Sequence, residues 1–185
     1  MTTAAVILAA GGGKRWDGEG HKLLVDFKGK PVISWALESA NEAGLDDLIV
    51  ISGAVDISNF LPKGAVLLHN SDWELGQSKS LQLAVSWAKE KRYESLVFGL
   101  GDMPGVSKDA WIAVAKHPAP LVTATFNGAR RPPVKISSDF FDDLPSEGDE
   151  GARILFAGGN QAVVEVSCLG SGNDIDTLED MRQWS

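Results

Sequence analysis

Apolar residues recur along this chain in two alternating rhythms. Ala5-Val6-Ile7-Leu8-Ala9, Leu48-Ile49-Val50-Ile51 and Leu96-Val97-Phe98-Gly99-Leu100 are short runs ending in glycine or polar residues. Such runs mark strands buried on both faces. Between the first two, Ile33, Leu37 and Ala40 repeat at helical spacing and stop at Gly44, with Pro31 expected at the first helical position. A short helical piece (Ser58 to Leu61) and a strand (Ala65 to Leu68) follow. Leu81, Ala84, Val85 and Ala88 share one face of the next helix, and the spacing predicts a further helix over 108–116 and a strand over 121–126. Strict alternation of strand and helix predicts a parallel sheet covered on both faces.

From Asn127 the rhythm changes. Val134-Lys135-Ile136 alternates like an edge or antiparallel strand, and Pro132-Pro133 before it argues against a central position. A helix is expected from about Gly151 to Phe156, capped by Asp149 and stopped by Gly158-Gly159. A strand over 162–166 and a last helix opened by Thr177-Leu178-Glu179-Asp180 complete the chain. The fold class is therefore α/β: a doubly wound, mostly parallel sheet with helices on both faces and a small antiparallel addition in the C-terminal third. We expect one domain over 1–185, with a nucleotide-binding core in 1–126 and an acceptor-side, closing segment in 127–185.

Composition narrows the partners. The 185 residues carry 17 basic and 25 acidic side chains, a net charge of −8. That balance argues against nucleic acid or a membrane surface, because phosphate arrays demand a basic face. No run approaches the roughly 20 apolar residues of a membrane span. With Met1-Thr2-Thr3 running straight into the first strand, no signal peptide is expected, and the single cysteine, Cys168, is expected to be a buried thiol rather than a nucleophile. A cytoplasmic location is expected.

Chemistry concentrates where the first strand ends. Gly11-Gly12-Gly13 lets the backbone turn and approach a ligand closely, and successive N–H groups in such a turn form an anion nest. Lys14, Arg15 and Lys22 place three of the 17 basic residues within nine positions, where an even spread gives roughly one. This is the composition of a polyphosphate site. In doubly wound sheets ligands bind beyond the carboxyl ends of the strands, where strand order reverses. If the first strand neighbours the 96–100 strand, Asp102 faces the glycine loop there. One carboxylate beside a phosphate cradle suits Mg²⁺, which completes its shell with phosphate oxygens and water. Asp174 and Asp176 are candidates for a second carboxylate, with capping of the last helix the preferred role for Asp174. His21 is expected to be a solvated loop residue.

Leu8-Ala9-Ala10-Gly11 through Arg15 to Lys22, then Gly101-Asp102-Met103-Pro104, resembles the MobA-like nucleotidyltransferases. Asn70-x-x-Trp73-x-x-Gly76 with Ser80-Leu81, Arg130-x-x-Pro133-Val134, Gly148-Asp149-x-Gly151-Ala152-Arg153 and Asp174-Ile175-Asp176-Thr177 extend the likeness in order across nearly the whole chain. Within the family the pattern is most similar to the molybdenum cofactor cytidylyltransferases. The resemblance implies a Rossmann-like fold, Mg²⁺, and transfer of CMP from CTP to a phosphorylated pterin, with pyrophosphate released. It implies Arg15, Lys22 and Asp102 as catalytic residues and Asp102 and Asp176 as metal ligands. Nucleotide contacts are expected from Leu8, Ala9, Ala10, Gly11, Gly12, Gly13, Lys14, Arg15 and Lys22, joined by Ser52, Asn70, Gly76 and Ser80. Arg130, Pro133, Asp149 and Arg153 are expected on the acceptor, and a molybdenum-enzyme apoprotein is a further expected partner.

The chain departs from the family pattern in three places. Gly13 stands for a small hydroxyl residue, and the stretch Asp17 to His21 is about two residues longer. Arg131-Pro132 replaces Gly-His, which bears on the acceptor more than on the nucleotide. Two other readings compete. An NAD(P)-dependent oxidoreductase is opposed by Gly11-x-Gly13-x-x-Trp16, which lacks the third glycine, and by Ser52-Gly53, which offers no acid to a ribose. A non-catalytic molybdenum-enzyme accessory protein is opposed by the intact Asp102, Arg15 and Lys22.

Overall fold

The structure, a computed structural model, describes residues 2–157 and 163–184. Its centre is β1 (Thr3–Ala9), in which Ala5 and Ile7 face one hydrophobic layer while Ala4 and Val6 face the other. A strand buried on both sides must lie inside a sheet, and β1 pairs in parallel with β4 (Asp47–Ser52) and with β6 (Ser95–Leu100). β5 (Val66–His69) adds in parallel to β4 at the edge. On one face α1 (Val32–Glu42) and α3 (Lys108–Lys116) cover the sheet through Ile33, Leu37, Trp111 and Val114. On the other lies α2 (Gln77–Lys91), through Leu81, Ala84, Val85 and Ala88. The Ser107 hydroxyl caps α3 by accepting the Ala110 N–H, which fixes its start. Pro31 sits one position earlier than expected. It is the N-cap of α1 and closes a small hairpin of β2 (Asp26–Phe27) and β3 (Lys30–Pro31).

The largest departure from expectation is β8 (Ala129–Ser137). It is antiparallel as expected but central, lying between β6 and β7 (Leu121–Phe126) in the order β5-β4-β1-β6-β8-β7-β9, with β9 at Val163–Ser167. A proline pair is tolerated there because the ladder does not ask for its N–H groups. Pairing with β6 stops at Val134, and opposite β7 the register jumps from Val134–Thr123 to Arg131–Ala124, leaving Pro132 and Pro133 in the irregularity. β9 (Val163–Ser167) adds in parallel to β7. The expected stop at Gly158-Gly159 and the strand start at Ala162 lie outside the described residues. Among those described, no helix is long and apolar enough to cross a membrane.

Asp149 does not cap the helix that follows it. α4 (Arg153–Phe156) has Ala152 at its N-cap, and the Asp149 carboxylate instead accepts the Gln77 N–H at the start of α2, at 3.2 Å. The C-terminal helix α5 (Leu178–Gln183) begins with the expected Thr177–Asp180 capping box, so Asp174 has no capping role. Trp184 packs edge-on against Phe27, with ring centroids 5.7 Å apart. Around them Val32 and Ile175 are fully buried, so the chain end returns to the hairpin beside the glycine loop.

Candidate active site

The glycine loop leaves β1 at the carboxyl edge of the sheet and closes on itself through Trp16 N–H to the Gly13 carbonyl, 2.8 Å. Gly13 has φ +63°, a conformation that side chains resist. Gly12 is needed for a different reason: a Cβ there would stand 2.7 Å from the Trp73 ring. His21 braces the loop. Its Nε2 lies 3.0 Å from the Gly11 carbonyl, while Nδ1 accepts the Leu23 N–H at 3.3 Å. These bonds select the neutral imidazole with its proton on Nε2. The ring's pKa lies below the usual value, chiefly through burial; the Gly11 hydrogen bond opposes this and the Lys22 charge adds to it.

Because β1 neighbours β6, Asp102 at the end of β6 faces the loop, as the strand reading anticipates. The C-terminal segment supplies the second carboxylate. Ile175 donates its N–H to the Asp102 carbonyl at 2.9 Å, and Leu178 N–H reaches the Asp17 carboxylate at 2.9 Å. Asp176 is thereby held against the loop. Lys22 lies between the two acids, its Nζ 2.6 Å from Asp102 Oδ2 and 2.6 Å from Asp176 Oδ1. The other Asp176 oxygen, Oδ2, receives Arg15 at 2.6 Å. Burial alone would lower the Lys22 pKa, but the attraction of Asp102 and Asp176 outweighs it and the net shift is upward. Asp102 is raised, first by burial, with Asp174 and Asp176 adding to it and Lys22 opposing. Asp102 Oδ1 is buried without a hydrogen-bond partner among the described residues. A buried carboxylate oxygen left bare beside a glycine loop and two cations fits a hard divalent cation. No set of three or more His, Cys, Asp or Glu side chains forms a metal cage among the described residues. The protein would thus supply part of a cation's shell and leave the rest to phosphate and water.

The cleft over this cluster encloses about 350 Å³. The expected run from Leu8 to Arg15 lines it, as do Lys22, Gly76, Ser80, Asp102 and Asp176. Asp149 and Arg153 line it too, although they are expected on the acceptor. Ser52 and Asn70 are expected on the nucleotide but lie behind this lining. Ser52 is 3.3 Å from His69 Nδ1, and buried Asn70 donates to Ser80 Oγ at 2.9 Å while accepting Asp72 N–H. They orient the wall rather than form it.

A second cleft of about 350 Å³ adjoins the first, sharing Leu8, Gln77, Leu100, Arg153 and Asp174. Its walls are mainly apolar, with Arg130, Arg131 and Arg153 as its cations. Arg130 is tied to Glu165 at 2.6 Å and to the Phe156 carbonyl; Arg131 and Arg153 have no ion-pair partner among the described residues. Pro133 turns away from this cleft toward Trp111 and Ala36 beneath the sheet, and Pro132 takes its place in the lining. Cys168 is half-buried, donates to the Val166 carbonyl, and has its thiol pKa pushed up by burial. It lines neither cleft.

Sequence reasoning missed three contributors. Trp73 lines the first cleft and packs on Gly12, Gln77 borders both clefts, and His21 staples the loop. Of these only Trp73 left a signal, within the Asn70-x-x-Trp73-x-x-Gly76 run.

A family model described as the MobA-like NTP transferase domain matches residues 5–164. The nicotine blue oxidoreductase of Paenarthrobacter nicotinovorans is 27% identical over 95% of this chain and 93% of its own length. Among solved structures, a homologue of Mycobacterium tuberculosis Rv0371c from Mycobacterium sp. strain JC1 superposes with a TM-score of 0.83 at 26% identity, covering 98% of this chain and 94% of that one. A nucleotidyl transferase from Methanothermobacter thermautotroptrophicus gives a TM-score of 0.83 at 21% identity over 99% and 95% of the two chains.

Proposed function

The chain belongs to the MobA-like NTP transferase family, and from that premise we propose that it transfers CMP from CTP to a phosphorylated, pterin-like acceptor, releasing pyrophosphate. The observation that carries this reading is the Lys22–Asp102–Asp176–Arg15 cluster beneath the glycine loop, with Asp102 Oδ1 left bare. Asp102 and Asp176 would hold Mg²⁺. A divalent cation held by them would supply positive charge to offset that of the phosphates. The loop N–H groups and Lys14, Arg15 and Lys22 bind the triphosphate and neutralise the charge that grows on pyrophosphate as it leaves. A phosphate nucleophile is already ionised at neutral pH, so no general base is needed. Catalysis then rests on aligning the two phosphates and stabilising the transition state electrostatically. Arg153 borders both clefts and is placed to hold the acceptor's phosphate at their junction. Apolar walls beside Arg131 suit a flat, poorly hydrated acceptor body. Leu8-Ala9-Ala10-Gly11 resembles the form of this motif that in the family goes with CTP, where Leu-Ala-Gly-Gly goes with GTP, and so supports CTP.

A second reading, hydride transfer with a nicotinamide cofactor, is favoured by the oxidoreductase name of the full-length relative. Against it stand the missing third glycine and the absence of an acid at Ser52-Gly53. One assay separates the two. Pyrophosphate release is measured with each nucleoside triphosphate, Mg²⁺ and a molybdopterin preparation, in parallel with the absorbance of NADPH on mixing with the protein. The proposal expects CTP-dependent release that needs the pterin. Saturable NADPH binding, read as a change in its spectrum, without release from any triphosphate would replace it with the second reading.

A further inference from the structure

The two carboxylates of the cluster are not equally available. Asp102 keeps Oδ1 bare, whereas both oxygens of Asp176 are occupied, Oδ1 by Lys22 and Oδ2 by Arg15. The same two cations are the ones a triphosphate needs. We infer that Asp176 is a shared partner coupling the two subsites: it ligates a divalent cation only after Arg15 or Lys22 leaves it, and phosphate is what draws them off. This rests on the metal and triphosphate reading of the cleft.

The physical basis is competition for one buried acid. Asp176 is 9% exposed, so an ion pair there is poorly screened by water and its loss must be matched by another partner. A cation arriving alone finds one free oxygen, on Asp102, and a second acid already neutralised. A triphosphate arriving alone finds Lys22 and Arg15 engaged. Arriving together, each supplies the partner that the other removes: phosphate takes the basic side chains and metal takes the acid. Linkage then requires that each raise the other's affinity by the same factor. The ligand-free chain is thereby held in a charge-balanced state that binds either component weakly.

The inference makes an unusual demand: deleting a phosphate-binding cation should improve metal binding. Mn²⁺ binding to the full chain without nucleotide is followed by electron paramagnetic resonance of the free ion. Arg15→Ala and Lys22→Ala each release one Asp176 oxygen and should tighten Mn²⁺ by about tenfold, the scale of removing one charge-assisted contact. The Arg15 side chain is 75% exposed, so Arg15→Ala leaves the fold undisturbed even if Lys22→Ala does not. Lys14→Ala is the control. Lys14 lines the same cleft without touching Asp176, so the variant should change Mn²⁺ affinity by no more than about twofold. Equal tightening in all three would reduce the effect to bulk charge and overturn the inference, as would no tightening in Arg15→Ala. Adding Asp102→Asn to Arg15→Ala separates the inference from the reading beneath it. If Mn²⁺ binding survives that change unaltered, the ion sits elsewhere and the metal site itself is wrong. If binding depends on Asp102 but not on Arg15 or Lys22, only the coupling fails.

Discussion

At the first cleft, Lys22 and Asp176 are each only 9% exposed and every basic group that touches an acid does so at 2.6 Å. In the adjoining cleft the walls are apolar, Arg131 and Arg153 are exposed, and neither is paired among the described residues. The first cleft spans the junction of β1 and β6, in the rigid centre of the sheet. The second is built on β8 and α4, where a proline pair interrupts the ladder. A buried, charge-matched site is costly to alter, since removing one partner strands the other in a poor solvent. A site of apolar walls and free guanidiniums changes partner by exchanging a rim residue. Under the proposed function, this difference would let a chemistry fixed in one cleft be combined with an acceptor chosen in the next.

The sharpest way to break this comparison is Asp102→Asn. It removes a main electrostatic element from the first cleft while Lys22 keeps Asp176, so turnover should fall by about 10²-fold or more with little loss of folding stability. Unchanged turnover in excess Mg²⁺ would remove Asp102 from the reaction.

Arg131→Ala addresses the second cleft alone, because Arg131 lines only that one. Steady-state kinetics should show the acceptor KM rising about tenfold, one charge-assisted contact to a solvent-facing guanidinium, with CTP affinity unchanged. A matching loss of CTP affinity would mean that the clefts are not separable.

The main strands and helices up to Phe126 were legible because each stretch answers to a local rule. β1, β4 and β6 are buried on both faces and read as unbroken apolar runs, and 108–116 is a helix to the residue. The last third depends on contacts distant in sequence. Pro132-Pro133 locally forbids a central strand, and only the end of the β6 pairing and the register jump against β7 make room for one. Asp149 looked like the cap of the next helix but bonds the start of α2, 72 residues earlier. At the site, the loop cations and Asp102 announced their chemistry by composition and by position at a strand end. Asp176 reads only as one of two candidates, with Asp174, for a second carboxylate, because a helix opening at Thr177 explains acids nearby equally well. His21 reads as an unremarkable loop residue until Gly11 and Leu23 are seen on either side of its ring.

Two smaller effects sharpen the picture of the first cleft. Ser80 lines it with Asn70 donating to its oxygen, which leaves its hydroxyl proton for a ligand. Ser80→Ala should weaken CTP by roughly two- to twelve-fold, about 0.5–1.5 kcal/mol, and leave inorganic pyrophosphate unaffected in calorimetric titration. Equal losses for both ligands would move the base away from Ser80. His21 gives the smallest effect, a change of slope. Its folded pKa lies below the ordinary 6.5, so the unfolded chain binds the proton more readily. The stability contributed by the neutral ring is complete above 6.5 and is lost as pH falls from there through the lower folded value. Denaturant midpoints between pH 7.5 and 5 should therefore decline less steeply in His21→Asn than in the wild type, and parallel curves would deny His21 its role as a staple.

The central claim is that the first cleft delivers a nucleotidyl group to whatever the second one holds. It is tested most directly by following the label of CTP carrying ³²P at the α-position, with Mg²⁺ and a phosphorylated pterin, in a single turnover. The account predicts label in a pterin–CMP product, formed together with one equivalent of pyrophosphate and lost in Asp102→Asn. Label that stays in CTP, or appears only as free CMP whether or not the pterin is present, would contradict it.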